Sequence, residues 1–224
     1  MTMAGGGVLA FWHDVAPGGD GEFDQWHLHE HIPERLAVPG FLRARRYATL
    51  GAPPKYFYFY ETESLDTLQS PAYLARLADP TPWTRRSMPL VRNNVRTACR
   101  VVATRGDAIG GVVATIQLGP RAGHEEELRS WLVTTALPAA AEHPGIVASH
   151  LLEGDAGVST AARSDEKKLL ATPDALVRWV VLVEGIDEAA IEGTSRDLLG
   201  AEALARRGAS DRVAAGFYRL QLVL

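Results

Sequence analysis

The residues of this chain with most capacity for chemistry lie in one short segment, His27-Leu28-His29-Glu30-His31, which holds three of the seven histidines. An imidazole titrates close to neutral pH, so it can take and return a proton at cellular pH, and a neighbouring carboxylate such as Glu30 or Glu34 can set its tautomer. His27 and His31 are four residues apart with Glu34 following, which would offer two nitrogens and one oxygen to zinc or iron. No His-Glu-x-x-His base accompanies them, and acid–base chemistry without a metal is the expected use. His13, at the end of an apolar run, is a second candidate acid or base.

Two further sets alternate with the period of a strand. Arg43, Arg45 and Tyr47 share one face with Phe41, while Ala44, Arg46 and Ala48 share the other. Paired arginines call for anionic partners, either Glu61 or Asp14 or the carboxylate or enolate of a ligand. Tyr56, Tyr58 and Tyr60 form a ladder opposite Phe57 and Phe59, suited to an aromatic-ligand pocket or to packing between sheets. Trp26 on the histidine segment and Trp83 in a proline-bounded stretch complete the candidate ligand contacts, Trp83 as a lid or as a loop anchor. Cys99 is the single cysteine, which excludes a disulfide framework, and it reads as a small apolar strand residue. No Walker loop, dinucleotide fingerprint or nucleophile elbow is present.

The elements that must position these residues can be read from hydrophobic period and punctuation. Val8–Val15 reads as a strand and Asp20–Ala37 as a helix ended by Pro39-Gly40. Phe41–Thr49 and Lys55–Thr62 are strands, Ser64–Asp79 is helical with a break at Ser70-Pro71, and Pro80–Pro89 is irregular. A short helix over Met88–Arg96 and a strand over Ala98–Thr104 follow. On a 100° wheel Trp26, His29, Pro33 and Leu36 share one face, so His29 points inward, and His27 and His31 lie on a more polar face. Pro33 cannot donate to the carbonyl of His29, so the helix bends there and can turn His31 toward the sheet instead.

The second half repeats this order, with strands at Gly111–Leu118, Ile146–Glu153, Leu176–Glu184 and Val213–Leu222 and helices at Ala122–Glu142 and Asp187–Arg207. A shift of 105 residues places Trp26 on Trp131, Pro33 on Pro138 and Pro39-Gly40 on Pro144-Gly145. The expected organisation is therefore α+β, with two tandem β-α-β-β-α-β units at 1–106 and 107–224. Their antiparallel sheets face each other as a pseudo-twofold barrel with helices outside. A long polar loop, Gly154–Asp174, interrupts the second unit and is of the length that is usually mobile or functional.

Composition bounds the function classes. The chain has 224 residues, 46% hydrophobic and 22% charged, with a net charge of −4, which argues for a globular core and against a nucleic-acid binder. No run reaches the length of a membrane span and the first residues do not read as a signal, so a cytoplasmic protein is expected. The bland total conceals an asymmetry. Residues 1–105 carry a net +2 and 13 of the 17 aromatic residues, and the remainder carries −6. The first unit is therefore expected to bear the site and the second to serve as its structural partner.

The repeated unit is similar to the ferredoxin-like dimeric α/β-barrel superfamily, as a tandem-fused form. Phe23-x-x-Trp26-x-x-x-x-His31-x-Pro33 followed by Pro39-Gly40-Phe41 resembles EthD-like proteins within it. The resemblance implies a pocket between helix and sheet and favours His31 over His29 as the working histidine. In the second unit Ala136 and Thr134 replace His31 and His29, so that chemistry is available once per chain. The expected function is acid–base catalysis on a carbonyl, aromatic or polyketide-like small molecule, of isomerase, cyclase, dehydratase or decarboxylase type. The alternatives are a cofactor-independent monooxygenase and a non-catalytic, stress-associated binding barrel. No cofactor is expected, with a divalent metal or haem as the alternatives. The partner is a small molecule, with neither nucleic acid nor membrane, and a homo-oligomer is compatible with the fold.

Overall fold

A computed structural model describes residues 3–161, 165–171 and 174–224. Met1 and Thr2 of the expected signal-free start, and residues 162–164 and 172–173 of the expected polar loop, lie outside the described residues.

Each half builds a four-stranded antiparallel sheet. The first contains β1 (Gly7–Val15), β2 (Phe41–Thr49), β3 (Tyr56–Thr62) and β4 (Val91–Gly106), and the second β5 (Val112–Leu118), β6 (Ile146–Gly154), β7 (Trp179–Gly185) and β8 (Ala214–Val223). The two sheets face each other and also bond edge to edge, β2 to β8 and β4 to β6, closing one eight-stranded barrel in the order β1-β3-β2-β8-β5-β7-β6-β4. Closure leaves no free sheet edge.

Strand alternation divides the two faces. Val8, Ala10, Trp12, Phe57, Phe59, Cys99, Leu152, Val180 and Leu182 fill the interior, and Trp12 Nε1 donates to Thr115 Oγ1 of the opposite sheet at 3.1 Å. Burial pushes the Cys99 thiol up to about 12, which keeps it protonated and inert. Leu9, Phe11, His13 and the Tyr56-Tyr58-Tyr60 ladder face outward, under the helices. The outer layer comprises α1 (Asp20–Trp26), α2 (Ile32–Leu36), α3 (Pro71–Ala78), α4 (Pro82–Ser87), α5 (Glu125–Trp131), α6 (Leu137–Glu142), α7 (Ala156–Ala161), α8 (Glu188–Leu199) and α9 (Ala201–Arg206).

The sequence repeat reappears as a repeat of backbone detail. α1 and α2 are joined by a π turn, His27–His31, in which the N–H of Ile32 bonds the carbonyl of His27. α5 and α6 are joined by a π turn at Leu132–Ala136, closed by Leu137 on Leu132. Each π turn lies just before a proline, Pro33 or Pro138, whose missing N–H deprives the residue four back of its α-helical donor. Each paired helix then ends at a Pro-Gly whose glycine, Gly40 or Gly145, takes a positive φ (+88° and +83°).

Three expectations are corrected. Met88–Arg96 is not a helix. Only Met88–Leu90 forms a 3₁₀ turn, and Val91 onward extends as β4, because β1 needs a partner along its length and finds it from Val91 to Arg100. Pro80–Pro89 contains α4, capped by the Thr81 side chain on the N–H of Thr84. Phe41 does not share a face with Arg43, Arg45 and Tyr47. A bulge between Phe41 and Arg43 reverses the phase, sending Phe41 outward and the other three into the barrel.

Candidate functional site

The π turn decides which histidine faces the sheet. Inserting one residue in the turn re-phases the helix, so Phe23, Trp26, His27, His31 and Arg35 point inward and His29 is exposed. The wheel-based placement of His29 is therefore overturned.

His27 is wholly buried. Its ring stacks on Phe23 at 5.0 Å and meets the Tyr58 ring edge-on at 4.4 Å. Neither of its nitrogens has a hydrogen-bond partner. His31 is 4% exposed, packs on Trp26 at 4.5 Å and on His27 at 5.5 Å, and its Nδ1 is likewise unpartnered. His13 lies beyond Phe23, with Nδ1 donating to the Asp14 carbonyl at 2.9 Å and Nε2 unpartnered. All three are held neutral at pH 7. Burial, aided by Arg46, lowers His13 to about 4. Burial, then the neighbouring His31 and Arg46, holds His27 well below the usual range, and burial with Arg35 does so for His31.

A narrow cavity opens between this helix and the outer face of β1 and β3. Leu9, Phe11, Tyr58 and Tyr60 form its floor, with Phe11 stacked on Tyr58 at 4.6 Å. Trp26, His31 and Arg35 form one wall, and Tyr73 and Leu77 of α3 another. Burial raises the Tyr58 and Tyr60 phenols well above their ordinary values, so both keep their protons, and the Tyr60 hydroxyl has no partner.

The remaining wall was not anticipated. Asn94 and Arg96 reach it from β4, and Glu166, Lys167, Leu170 and Asp174 reach it from the second half. Glu166 bonds Arg35 across the two halves, and its N–H bonds the Leu77 carbonyl at 3.2 Å. Most of the lining therefore comes from the first half, and the second, expected mainly as a structural partner, also contributes Glu166, Lys167, Leu170 and Asp174. The expected polar loop supplies this wall.

The other candidates take different places. Arg43, Arg45 and Tyr47 do not reach the pocket. Arg43 and Arg45 both bond Glu61 inside the barrel at 2.8 Å, and Arg45 also bonds Glu184 at 2.8 Å. Glu184 in turn accepts from the Gly110 N–H at 2.9 Å and from His150 Nε2 at 3.0 Å. Tyr56 lies past the pocket and donates to Asp24. Trp83 donates from Nε1 to Glu22 at 2.8 Å and so anchors α4 to α1 rather than covering the pocket. Arg46, on the outer face, pairs with Asp24 and lies 4.7 Å over the Tyr56 ring.

The metal alternative does not assemble. Glu34 is engaged by Arg76 at 3.0 Å and Arg35 at 3.3 Å, and the His27 and His31 rings stack rather than converge. Among the described residues no group of three ligating side chains could hold an ion. The His31 ring is flanked by Trp26 at 4.5 Å, His27 at 5.5 Å and Tyr60 at 6.5 Å.

Among the described residues no helix is long and apolar enough to cross a membrane. No protein-family model matches the chain, and no curated protein matches it. Solved structures do. An anthrone oxidase-like protein superposes with a TM-score of 0.66 at 15% identity, covering 97% of this chain and 92% of its own. A chlorite dismutase-like protein gives 0.60 at 15% identity over 96% and 94%. A monooxygenase-like protein from Lactobacillus acidophilus gives 0.59 at 9% identity over 97% and 95%. At these identities the likeness is one of fold. The chain is an α+β protein with the ferredoxin-like dimeric α/β-barrel fold, closed within a single polypeptide.

Proposed function

We propose that this chain is an enzyme that removes a proton from a small aromatic or polyketide-like carbonyl compound, with His31 as the base. The observation that carries the reading is His31 itself, a neutral imidazole with a bare Nδ1 in the wall of an aromatic pocket beside two protonated tyrosines. The helix segment that resembles EthD-like proteins is the one that carries it.

In this reading the imidazole takes the proton from a carbon next to the carbonyl. The C–H electron pair moves onto the carbonyl oxygen, and the Tyr60 hydroxyl, which has no other partner, donates to the resulting enolate. The imidazolium then returns the proton at another carbon or at a leaving group, which yields isomerisation, cyclisation or elimination without a cofactor. A positioned base of this kind contributes typically ~10²–10⁴-fold. A cofactor-independent monooxygenase shares the first step and passes the anion to dioxygen, a course supported at the level of fold by the anthrone oxidase-like and monooxygenase-like neighbours.

Anthrone, a planar carbon acid, is a suitable probe. Under nitrogen in D₂O, the protein is expected to accelerate hydrogen–deuterium exchange at its CH₂, followed by proton NMR. His31→Gln is expected to remove about 100-fold of that acceleration, and His29→Gln none. Exchange that is unchanged in His31→Gln refutes the base assignment. Binding without any exchange makes the barrel a non-catalytic binder.

A further inference from the structure

We propose that the pocket contains an anion subsite, built on Arg96 and Lys167, that takes the carboxylate of an aromatic acid. This deepens the reading of the pocket as a small-molecule site and rests on it.

Four arginines are buried in the described structure: Arg35, Arg45, Arg46 and Arg96. Arg35 holds Glu34 and Glu166, Arg45 holds Glu61 and Glu184, and Arg46 holds Asp24. Arg96, only 5% exposed, pairs with no carboxylate among the described residues. Its guanidinium lies 5.9 Å over the Phe11 ring, and its Nη1 donates to the Ser159 carbonyl at 3.0 Å. A buried guanidinium carries a desolvation cost that a countercharge offsets, and this one lines the cavity.

Lys167 converges on the same point. Its Nζ donates to the same Ser159 carbonyl, also at 3.0 Å. Two cations on one neutral oxygen repel each other, and burial followed by the Arg96 charge brings the Lys167 ammonium down to about 8. Two carboxylates, Asp174 and Glu166, line the cavity beside them. Asp174 accepts from Asn94 at 2.6 Å, and Glu166 is taken by Arg35. Both act on Lys167 in the opposite direction, but less than burial and Arg96 do.

A planar carboxylate matches these donors, because the guanidinium fork can present two parallel N–H groups and the ammonium a point charge. The Phe11–Tyr58 stack, which lines the same cavity, supplies the flat apolar surface for the ring that bears it. His31 and Tyr60 line that cavity as well, so an acid seated at Arg96 belongs to the same molecule whose carbonyl His31 and Tyr60 would meet.

The test uses 2-naphthoate and its neutral counterpart 2-naphthamide, by calorimetry at pH 7 and moderate salt. The whole protein is expected to bind naphthoate at least tenfold more tightly. Arg96→Gln is expected to abolish that preference, bringing the two affinities close to each other. Because a buried arginine can be needed for folding, the half-buried Lys167→Gln is measured in parallel, with a several-fold loss of preference expected. Equal affinities in the unaltered protein, or a preference that survives both substitutions, overturn the subsite and leave the pocket standing. Failure of both probes to bind to folded protein overturns the pocket and the subsite together, and binding of naphthamide without naphthoate overturns the subsite.

Discussion

Replacement of His27 by phenylalanine tests the central electrostatic claim, that the helix histidines are buried neutral. The ring contacts with Phe23 and Tyr58 can be kept, whereas the two unpartnered nitrogens are removed. Leaving a buried polar atom unsatisfied costs roughly 1–3 kcal/mol, so at pH 7.5 the substitution is expected to be neutral or stabilising, with the extra ring volume offsetting part of the gain. The pH dependence is the sharper quantity. The folded pKa of His27 lies well below 6.5, so between that value and 6.5 the unfolded chain binds a proton that the folded chain does not. Stability is therefore fully present above about pH 6.5 and is lost as pH falls. A histidine that stays neutral in the fold at pH 5 costs about 2 kcal/mol there relative to pH 7.5, from RT ln(1 + 10^1.5). His27→Phe escapes that cost, so its stability advantage over the unaltered protein should grow by about 2 kcal/mol between pH 7.5 and pH 5. Urea unfolding of both proteins at both pH values measures it, and any packing error from the larger ring cancels in the difference. An advantage that stays constant or shrinks refutes the claim that His27 is neutral in the fold. The same sign applies to His13, with its window running from 6.5 down to about 4.

Pro33→Ala restores the N–H that the carbonyl of His29 lacks, and should let the π turn relax toward α geometry and rotate His31 off the pocket. Anthrone exchange is expected to fall at least tenfold with little change in thermal midpoint, while Pro138→Ala in the second half leaves exchange intact. Arg45→Met removes the cation shared by Glu61 and Glu184 inside the barrel. It should cost ~3–5 kcal/mol by chemical denaturation near pH 8, with the deficit narrowing toward pH 5 as the stranded carboxylates take up protons. Tyr60→Phe removes a hydroxyl with no partner in the fold. It should leave stability unchanged or slightly higher and slow anthrone exchange, which separates a donor to the reacting oxygen from a packing residue.

The architecture was legible in the sequence because its signals are local and doubled. Strand alternation, Pro-Gly helix ends and the 105-residue register each recur in both halves, and each reflects a backbone constraint that acts within a few residues. That Tyr56, Tyr58 and Tyr60 share one face of β3 and Phe57 and Phe59 the other followed from alternation alone, and Pro33 marked the place where the histidine helix departs from regular geometry. What tertiary structure decided is phase, partner and enclosure. A π turn made His31 rather than His29 the inward histidine, and a one-residue bulge moved Arg43, Arg45 and Tyr47 from a candidate ligand face into the barrel. Arg96 was hidden because Met88–Arg96 reads as a helix until β1 claims it as a neighbouring strand. Glu166 and Lys167 were hidden because they lie more than 130 residues from His31 in the chain, and closure of the β4–β6 edge brings them to the same cavity. Residue types and their spacing thus determined what chemistry this protein has available. The cavity in which that chemistry is assembled exists only once both sheets have closed, since its walls come from elements that share no local signal.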